Sequence, residues 1–475
     1  MTSEMTWTRL CLGLAICLST SGALPAAAQS DAERLDRLER AVESLQKRNT
    51  ELEQEVRSLK LKTASAPAKD RSTPSSVADN KEDLPPPKEA GKKPVFAIAA
   101  ASEFKLTLGG FVQSQVEAGD VFAFEGRFGE GTGEVKDRFR LRRARISVSG
   151  DYTEHFDFKA EGEFAQSDTA LTVRDAQGRT LASNATRTGF GATDIFINWH
   201  TFLELNIKIG QYKAPFGLEQ LTPDTKLFTT ERSLVTTALT PERQIGVQIW
   251  GKPLANLWPE QKDLLIYYAG IFNGTGRNIS ANDNNEFMYV GRLEMQALRS
   301  KILNQETAMK VGMQGLSSRD ETGTTISNVL SENSDGSLSS FSLPSRGTRE
   351  GYGFDLSLRF GPFDFVAEYL RQRISPRGPG ALFDRFTAGG YYLQGSYFLI
   401  PKKLQLVSKW ESFDPGQAPN DDIDSITAGL NYYLKGDDIK LLANYIHTWS
   451  DFRESNSAFG KSEFDEVIVR LQLMF

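Results

Sequence analysis

The stretch Tyr352-Gly-Phe-Asp-Leu-Ser-Leu-Arg-Phe360 puts Tyr352, Phe354, Leu356, Leu358 and Phe360 on one face of an extended chain and Gly353, Asp355, Ser357 and Arg359 on the other. The last nine residues repeat the pattern, with Val467, Val469, Leu471, Leu473 and Phe475 opposite Ile468, Arg470, Gln472 and Met474. One face is apolar and aromatic, the other largely polar. In a soluble sandwich or propeller the charged face would be the outside. The candidate strands, however, run to about twelve residues, longer than a sandwich needs and suited to a tilted crossing of a bilayer. The apolar face is therefore expected to meet lipid and the polar face to line a lumen.

Outward from these segments the period of two extends from Phe104 to the end of the chain and yields sixteen candidate strands. Their connections alternate in length. Residues 118–137, 167–192, 212–242, 273–285, 317–348, 374–385, 414–422 and 450–462 form long ones, and 151–154, 201–202, 252–262, 299–304, 361, 399–401 and 436 form short ones. An even number of strands with alternating long and short loops is the organisation of an outer-membrane barrel, with the short turns in the periplasm. The expected fold is all-β, a 16-stranded antiparallel transmembrane β-barrel preceded by an N-terminal coiled-coil helix.

Composition agrees. The 475 residues hold 30 Phe, 13 Tyr and 40 Gly but only 2 Cys and 3 His, which argues against zinc modules, disulfide scaffolds and histidine-rich metal sites. No run of eighteen apolar residues exists to make a membrane helix. A net charge of −6 speaks against a nucleic-acid binder.

The segment before the barrel divides into three. Arg9, the apolar run Leu10 to Leu18 and Ala26-Ala27-Ala28 read as a signal peptide over residues 1–28, cleaved after Ala28. Residues 29–62 carry a heptad seam, with a at Leu35, Val42, Asn49 and Val56 and d at Leu38, Leu45, Leu52 and Leu59. Such a seam faces partner helices, and Asn49 would fix register; Val at a with Leu at d leans toward two strands without excluding three. Residues 63–103, rich in Ala, Pro and Lys, read as a linker that leaves rod and barrel free of one another, with the rod in the periplasm.

Alternation also nominates lumen-facing charges. In residues 138–149 the apolar positions change parity, which predicts a bulge at Arg142–Arg143 and turns Arg143 and Arg145 inward. Lys159, Lys208, Arg292, Lys310, Arg359, Lys409, Lys440 and Arg470 stand opposite apolar neighbours and share that face. Asp157, Glu161, Glu163, Glu204, Glu294, Asp355, Glu368 and Glu411 do so too, so the lumen is mixed rather than basic. The connection 212–242 adds Lys213, Lys226 and Arg232 against Glu219, Asp224 and Glu231. Cations in series lower the barrier to an anion without trapping it at one station.

Five segments carry a resemblance: Arg138 to Gly150, Phe156-Asp-Phe-Lys-Ala-Glu-Gly-Glu-Phe164, Ile207-Lys-Ile-Gly-Gln-Tyr-Lys-Ala-Pro-Phe-Gly-Leu-Glu219, Glu231-Arg-Ser-Leu234 and Pro241-Glu-Arg-Gln-Ile-Gly-Val247. Together they resemble the phosphate-selective porin O and P family. The likeness covers residues 104–475 and is most specific in Gly-Gln-Tyr-Lys-Ala-Pro-Phe-Gly-Leu-Glu, residues 210–219. It implies a homotrimer of barrels in which the third long loop, with Pro215, Phe216, Gly217 and Glu219, folds into the lumen as a constriction. It also implies that arginines and lysines such as Arg143, Arg145, Lys208, Lys213, Lys226, Arg232, Arg292 and Arg359 conduct inorganic anions such as phosphate. The terminal Phe475 resembles the signal by which barrel-assembly machinery recognises its clients.

No cofactor box, metal spacing or phosphate loop stands in the chain. His155 and His200 fall at short turns, and His447 with Ser450 and Asp451 is too weak a set to argue for an enzyme. The expected function is passive diffusion of small anions across an outer membrane; the alternatives are a general porin and a tether acting through the coiled coil.

Overall fold

The computed structural model describes residue 47 and residues 104–125, 136–165, 172–174, 180–183, 191–332, 338–455 and 461–475. The proposed signal peptide and linker, and all of the coiled coil but Lys47, which is helical, lie outside the described residues.

Sixteen strands close into one antiparallel barrel. They are β1 (Phe104–Gly119), β2 (Arg138–Tyr152), β3 (Phe156–Glu163), β4 (Gly191–Trp199), β5 (Asn206–Lys213), β6 (Arg243–Gly251), β7 (Leu265–Phe272) and β8 (Met288–Ile302), followed by β9 (Gln305–Asp320), β10 (Gly347–Phe360), β11 (Phe363–Pro376), β12 (Phe386–Ile400), β13 (Leu404–Asp414), β14 (Ile423–Lys435), β15 (Ile439–Ser450) and β16 (Glu463–Met474). Every candidate strand read from the sequence is among them. Two long connections carry more structure than expected. Two-stranded ribbons form from Thr172–Arg174 with Thr180–Ser183 and from Thr325–Glu332 with Leu338–Ser342. The turn placed at 299–304 shrinks to Leu303 and Asn304, both at positive φ.

The barrel closes where its ends meet. Phe111 pairs with Met474, and the ladder runs to Gly119 opposite Glu466. Beyond it Gly110 and Phe475 exchange two backbone hydrogen bonds of 3.0 Å each. Only glycine fits at 110, since a Cβ there would run into the Arg145 carbonyl and stand 2.8 Å from the Phe475 ring.

The distribution of side chains is inside out. On β16, Val467, Leu471 and Leu473 are about half exposed while Arg470 and Gln472 are buried. On β13, Leu406 and Trp410 are exposed while Gln405, Lys409 and Glu411 are buried. An outer wall of leucine, isoleucine and aromatic residues around a polar interior is the arrangement a hydrocarbon solvent selects, because closure satisfies the ladder amides and the apolar face meets lipid.

The wall is uneven. Strands β3 to β7 hold only 8 or 9 residues each and form a low wall. The other eleven, with 11 to 16 residues, form a tall one. An apolar core inside the barrel is the other departure from simple alternation. Leu316, Leu370, Tyr392, Phe413 and Ile423 point inward and pack on Phe216, Leu234, Val235 and Leu239 of the connection between β5 and β6.

Candidate functional site

That connection, residues 214–242, enters the lumen and is fastened there. Gly217, at φ 91°, makes the turn into helix α1 (Leu218–Leu221), and a Cβ on it would meet Thr240 at 2.7 Å. The freed amides of Leu218 and Glu219 donate to the Glu368 carboxylate of β11 at 2.5 and 3.1 Å. Helix α2 (Leu234–Leu239) starts at Ser233, whose hydroxyl accepts from Thr236 N, and Leu234 N donates to Glu411 of β13 at 2.6 Å. Each short helix thus presents unsatisfied amides to a wall carboxylate, the arrangement its backbone charge favours. Pro215, Phe216, Gly217 and Glu219 are all buried, and Glu219 accepts from Ser233 N at 2.8 Å, tying the two helical ends together.

Between the helices the loop is held by amides and cations of the wall. Gln113 of β1 donates to the Asp224 carbonyl at 3.2 Å and Gln472 of β16 to that of Thr225 at 3.1 Å. Asn431 and Lys440 donate to the carbonyls of Phe228 and Leu227 at 2.8 and 3.3 Å. Thr230 N donates to Asn444 at 2.6 Å, and the Thr230 carbonyl accepts from Arg470. The Leu239 carbonyl accepts from Gln372. These polar contacts come from β1, β11 and β14 to β16.

The charges converge on two loop carboxylates. Asp224 receives Arg145 at 2.6 Å, Arg143 at 3.4 Å and Arg232 at 2.5 Å. Glu231 receives Arg142 through two bonds of 2.9 Å and Arg470 at 2.5 Å. Burial alone would raise both carboxyls. Arg143, Arg232 and Arg145 around Asp224, and Arg142 and Arg470 around Glu231, outweigh it and hold both well below the usual carboxylate range. The bulge expected in β2 is present, since the register passes from Gln113–Arg143 to Ser114–Leu141 and leaves Arg142 as the extra residue. It lets Arg142 and Arg143, neighbours in sequence, both reach the loop.

The remaining nominated cations fall into different settings. Lys213 donates to the Thr222 carbonyl at 3.1 Å, and Arg232 also donates to the Glu219 and Thr222 carbonyls at 3.0 and 2.8 Å. Lys226 is exposed on the loop. Lys208 is buried with its ammonium 4.4 Å from the Phe196 ring centre and 5.2 Å from that of Tyr212. Arg292 is buried and paired with Asp355 at 2.6 Å and Glu294 at 2.9 Å. Arg359 pairs with Asp364 at 2.7 Å near the short-turn end and is partly exposed. The structure thus gathers Arg143, Arg145, Lys213 and Arg232 around the loop and leaves Lys208, Arg292 and Arg359 elsewhere on the wall. Alternation did not foresee that wall amides at 372, 431, 444 and 472 would hold the loop, because an inward amide reads the same whether it faces water or a backbone carbonyl. His447 and Ser450 are not brought together: His447 bonds Asp465 at 2.6 Å beside exposed Tyr445, whereas Ser450 is buried.

A closed sixteen-strand barrel with an apolar outer wall and a loop packed in its lumen is an outer-membrane porin. The model of the family described as phosphate-selective porin O and P matches residues 118–475, and the chain belongs to that family. Among solved structures it is similar to an anion-selective porin from Comamonas acidovorans, at 12% identity and a TM-score of 0.50, covering 78% of this chain and 100% of that one. It is equally similar to a loop-deletion mutant of OmpT, an outer membrane protein of Vibrio cholerae, at 12% identity and a TM-score of 0.50 over 79% of this chain and 100% of that one. At such identities the likeness is one of fold. No curated protein sequence matches.

Proposed function

We propose that this porin passes small anions, inorganic phosphate among them, by passive diffusion. The observation that carries the reading is the guanidinium cluster between β2, β16 and the loop. Arg142, Arg143, Arg145, Arg232 and Arg470 meet the carboxylates of Asp224, Glu231, Glu161 and Glu163, five guanidiniums to four carboxylates, and Lys213 donates to the Thr222 carbonyl beside them. Guanidinium groups stay charged at every physiological pH, so the surplus is permanent, and in a narrow passage of low effective dielectric it lowers the barrier to anions. The family's name and the anion selectivity of the Comamonas acidovorans porin agree with this reading.

The assembly we propose is a homotrimer joined through the low wall. Strands of 8 or 9 residues tilted by about 40° rise only about 20–23 Å, short of an apolar band of about 25 Å. Ile195, Ile197, Ile209, Val247, Ile249 and Ile271 are exposed on that wall and would be covered by a second copy. Phe475 would be the mark read by the assembly machinery, and residues 29–62 a periplasmic coiled coil on the linker 63–103. The test of selectivity is the reversal potential of single channels under chloride, phosphate and potassium gradients. A cation-selective or unselective channel would overturn the anion reading in favour of a general porin.

A further inference from the structure

The bilayer-facing side of the barrel carries, along one seam, arginines that make no close ion pair. On β11 the outward positions are Phe363, Phe365, Ala367, Tyr369, Arg371 and Arg373, alternating with the buried Glu368, Leu370 and Gln372. The row is apolar or aromatic up to Tyr369 and then becomes two exposed arginines. Arg371 lies opposite Tyr352 on β10 and opposite Gly389 on β12. Its side-chain hydrogen bonds go to Tyr369 and Tyr352, which carry no charge to offset its own. The Arg371 side chain lies over Gly389, where a Cβ would stand 3.5 Å from it, an ordinary contact. Arg373 lies opposite Thr387, and Arg385, also exposed, precedes Thr387 by two residues.

These three arginines differ from their neighbours at the rim. Arg319 pairs with Glu286 at 3.2 Å, Arg346 with Glu321 at 2.6 Å and Arg377 with Glu321 at 3.1 Å. Among the described residues no carboxylate lies within 4.0 Å of Arg371, Arg373 or Arg385. The acidic groups nearest in register are Glu350, opposite Arg373, and Asp414, opposite Gly389. At about 2.5 Å of height per residue in a tilted strand, Arg371 stands about 20 Å and Arg373 about 25 Å above Phe363, which places them at the edge of the apolar band on the long-loop side. A guanidinium facing lipid just inside that edge is unfavourable unless an anion meets it.

We propose that Arg371, Arg373 and Arg385 form a binding site for the phosphate groups of a phosphorylated lipid in the leaflet at the long-loop end. The guanidinium forks offer paired donors to phosphate oxygens, and the exposed Tyr352 and Tyr391, beside and beneath them, supply the amphipathic rings that sit at such a boundary. The occupant is a lipid rather than a free anion because the arginines stand on the lipid side of the wall directly above an apolar strip. The site rests on the bilayer orientation of the barrel and is independent of what the pore conducts.

The full-length protein is reconstituted in phosphatidylcholine nanodiscs containing diphosphoryl lipid A or its dephosphorylated form, and lipid retained on the barrel is measured by native mass spectrometry. The wild type retains the phosphorylated form preferentially. The R371Q/R373Q/R385Q variant loses that retention by about tenfold or more, the sum of several charge-assisted bonds, and the corresponding triple lysine variant keeps most of it. Heat-modifiable mobility on gels checks that each variant is folded, and the single change Arg373→Gln, at the rim, shows a smaller loss if the triple variant does not fold. Equal retention of the two lipids, full retention by the folded glutamine variant, or displacement by inorganic phosphate would each overturn the proposal.

Discussion

The two sides of the lumen are built differently. The tall wall is joined to the loop by contacts from most of its strands, and several of its charges hold it: Glu368 and Glu411 take loop amides, and Arg470 takes Glu231 and a carbonyl. On the low wall some charged side chains pair among themselves, Arg243 with Asp194 at 2.8 Å and Lys159 with Glu161 at 2.9 Å, while Glu163 takes Arg145 of β2 and Lys213 a loop carbonyl. A charge facing the interior of a barrel is therefore not by itself a station for a passing ion. On one side it is often a fastening, and on the other it is often held by a neighbour on the wall.

The largest effect should come from undoing the fastening. Asp224→Asn with Glu231→Gln leaves five guanidiniums crowded, of which Arg145 alone keeps close carboxylates, Glu163 at 2.7 Å and Glu161 at 3.7 Å. Breaking a buried pair in this way costs about 3–5 kcal/mol, and Asp224, almost fully buried, should account for more of it than the partly exposed Glu231. The expected result is a lower unfolding temperature in detergent, a larger single-channel conductance as the loop loosens, and a reversal potential shifted toward anions. Unchanged conductance would mean that the backbone bonds from Gln113, Gln472, Asn431 and Asn444 hold the loop without the ion pairs.

The walls can be compared from outside as well. Ile209 on the low wall and Leu406 on the tall wall are both about half exposed. If the low wall is the subunit contact, Ile209→Lys should release monomers on mild detergent extraction, while Leu406→Lys should leave the oligomer intact and cost about 2–4 kcal/mol of barrel stability, the value for lysine at mid-bilayer. The same electrophoretic mobility for both variants would remove the low wall from the interface.

Much of this architecture is legible in the sequence, and the reason is the bilayer. Because lipid and lumen impose opposite preferences on alternate residues, Val467 to Phe475 or Tyr352 to Phe360 announce strand, register and face together. Even the bulge at Arg142 shows as a parity change. The course of the loop does not show. Leu370, Phe413 and Ile423 are apolar and yet point inward, because Phe216, Leu234 and Val235, far away in the chain, supply a dry surface for them. Local alternation has no access to that partner. Nor does it separate Arg143 and Arg145, bound to Asp224, from Lys226, exposed on the loop itself.

A more moderate change is expected at the constriction itself. Replacing Arg143 and Arg145 by glutamine removes two charges while leaving Arg232 on Asp224. The reversal potential should move toward cations, by less than it would for unpaired charges of the same number, since each guanidinium is already partly offset by Asp224 or Glu163. An unmoved reversal potential would assign both arginines to holding the loop alone.

The smallest effect expected is that of mild acid. Asp224 and Glu231 have carboxyl groups held below their ordinary range by the surrounding arginines. A group depressed in the folded state stabilises it fully above its unfolded pKa, about 4, and the stabilisation fades only as pH falls through the lower folded value. The contacts of these two residues with Arg143, Arg145, Arg142 and Arg470 should therefore be fully present from pH 7 down to about 5, and conductance and unfolding temperature should stay level if they dominate the fastening. A drop already at about pH 6 in the wild type, absent from the Asp224→Asn and Glu231→Gln variant, would show that these carboxylates take up protons far more readily than their arginine contacts allow. A drop of equal size in both proteins would place the acid-sensitive groups outside these two carboxylates.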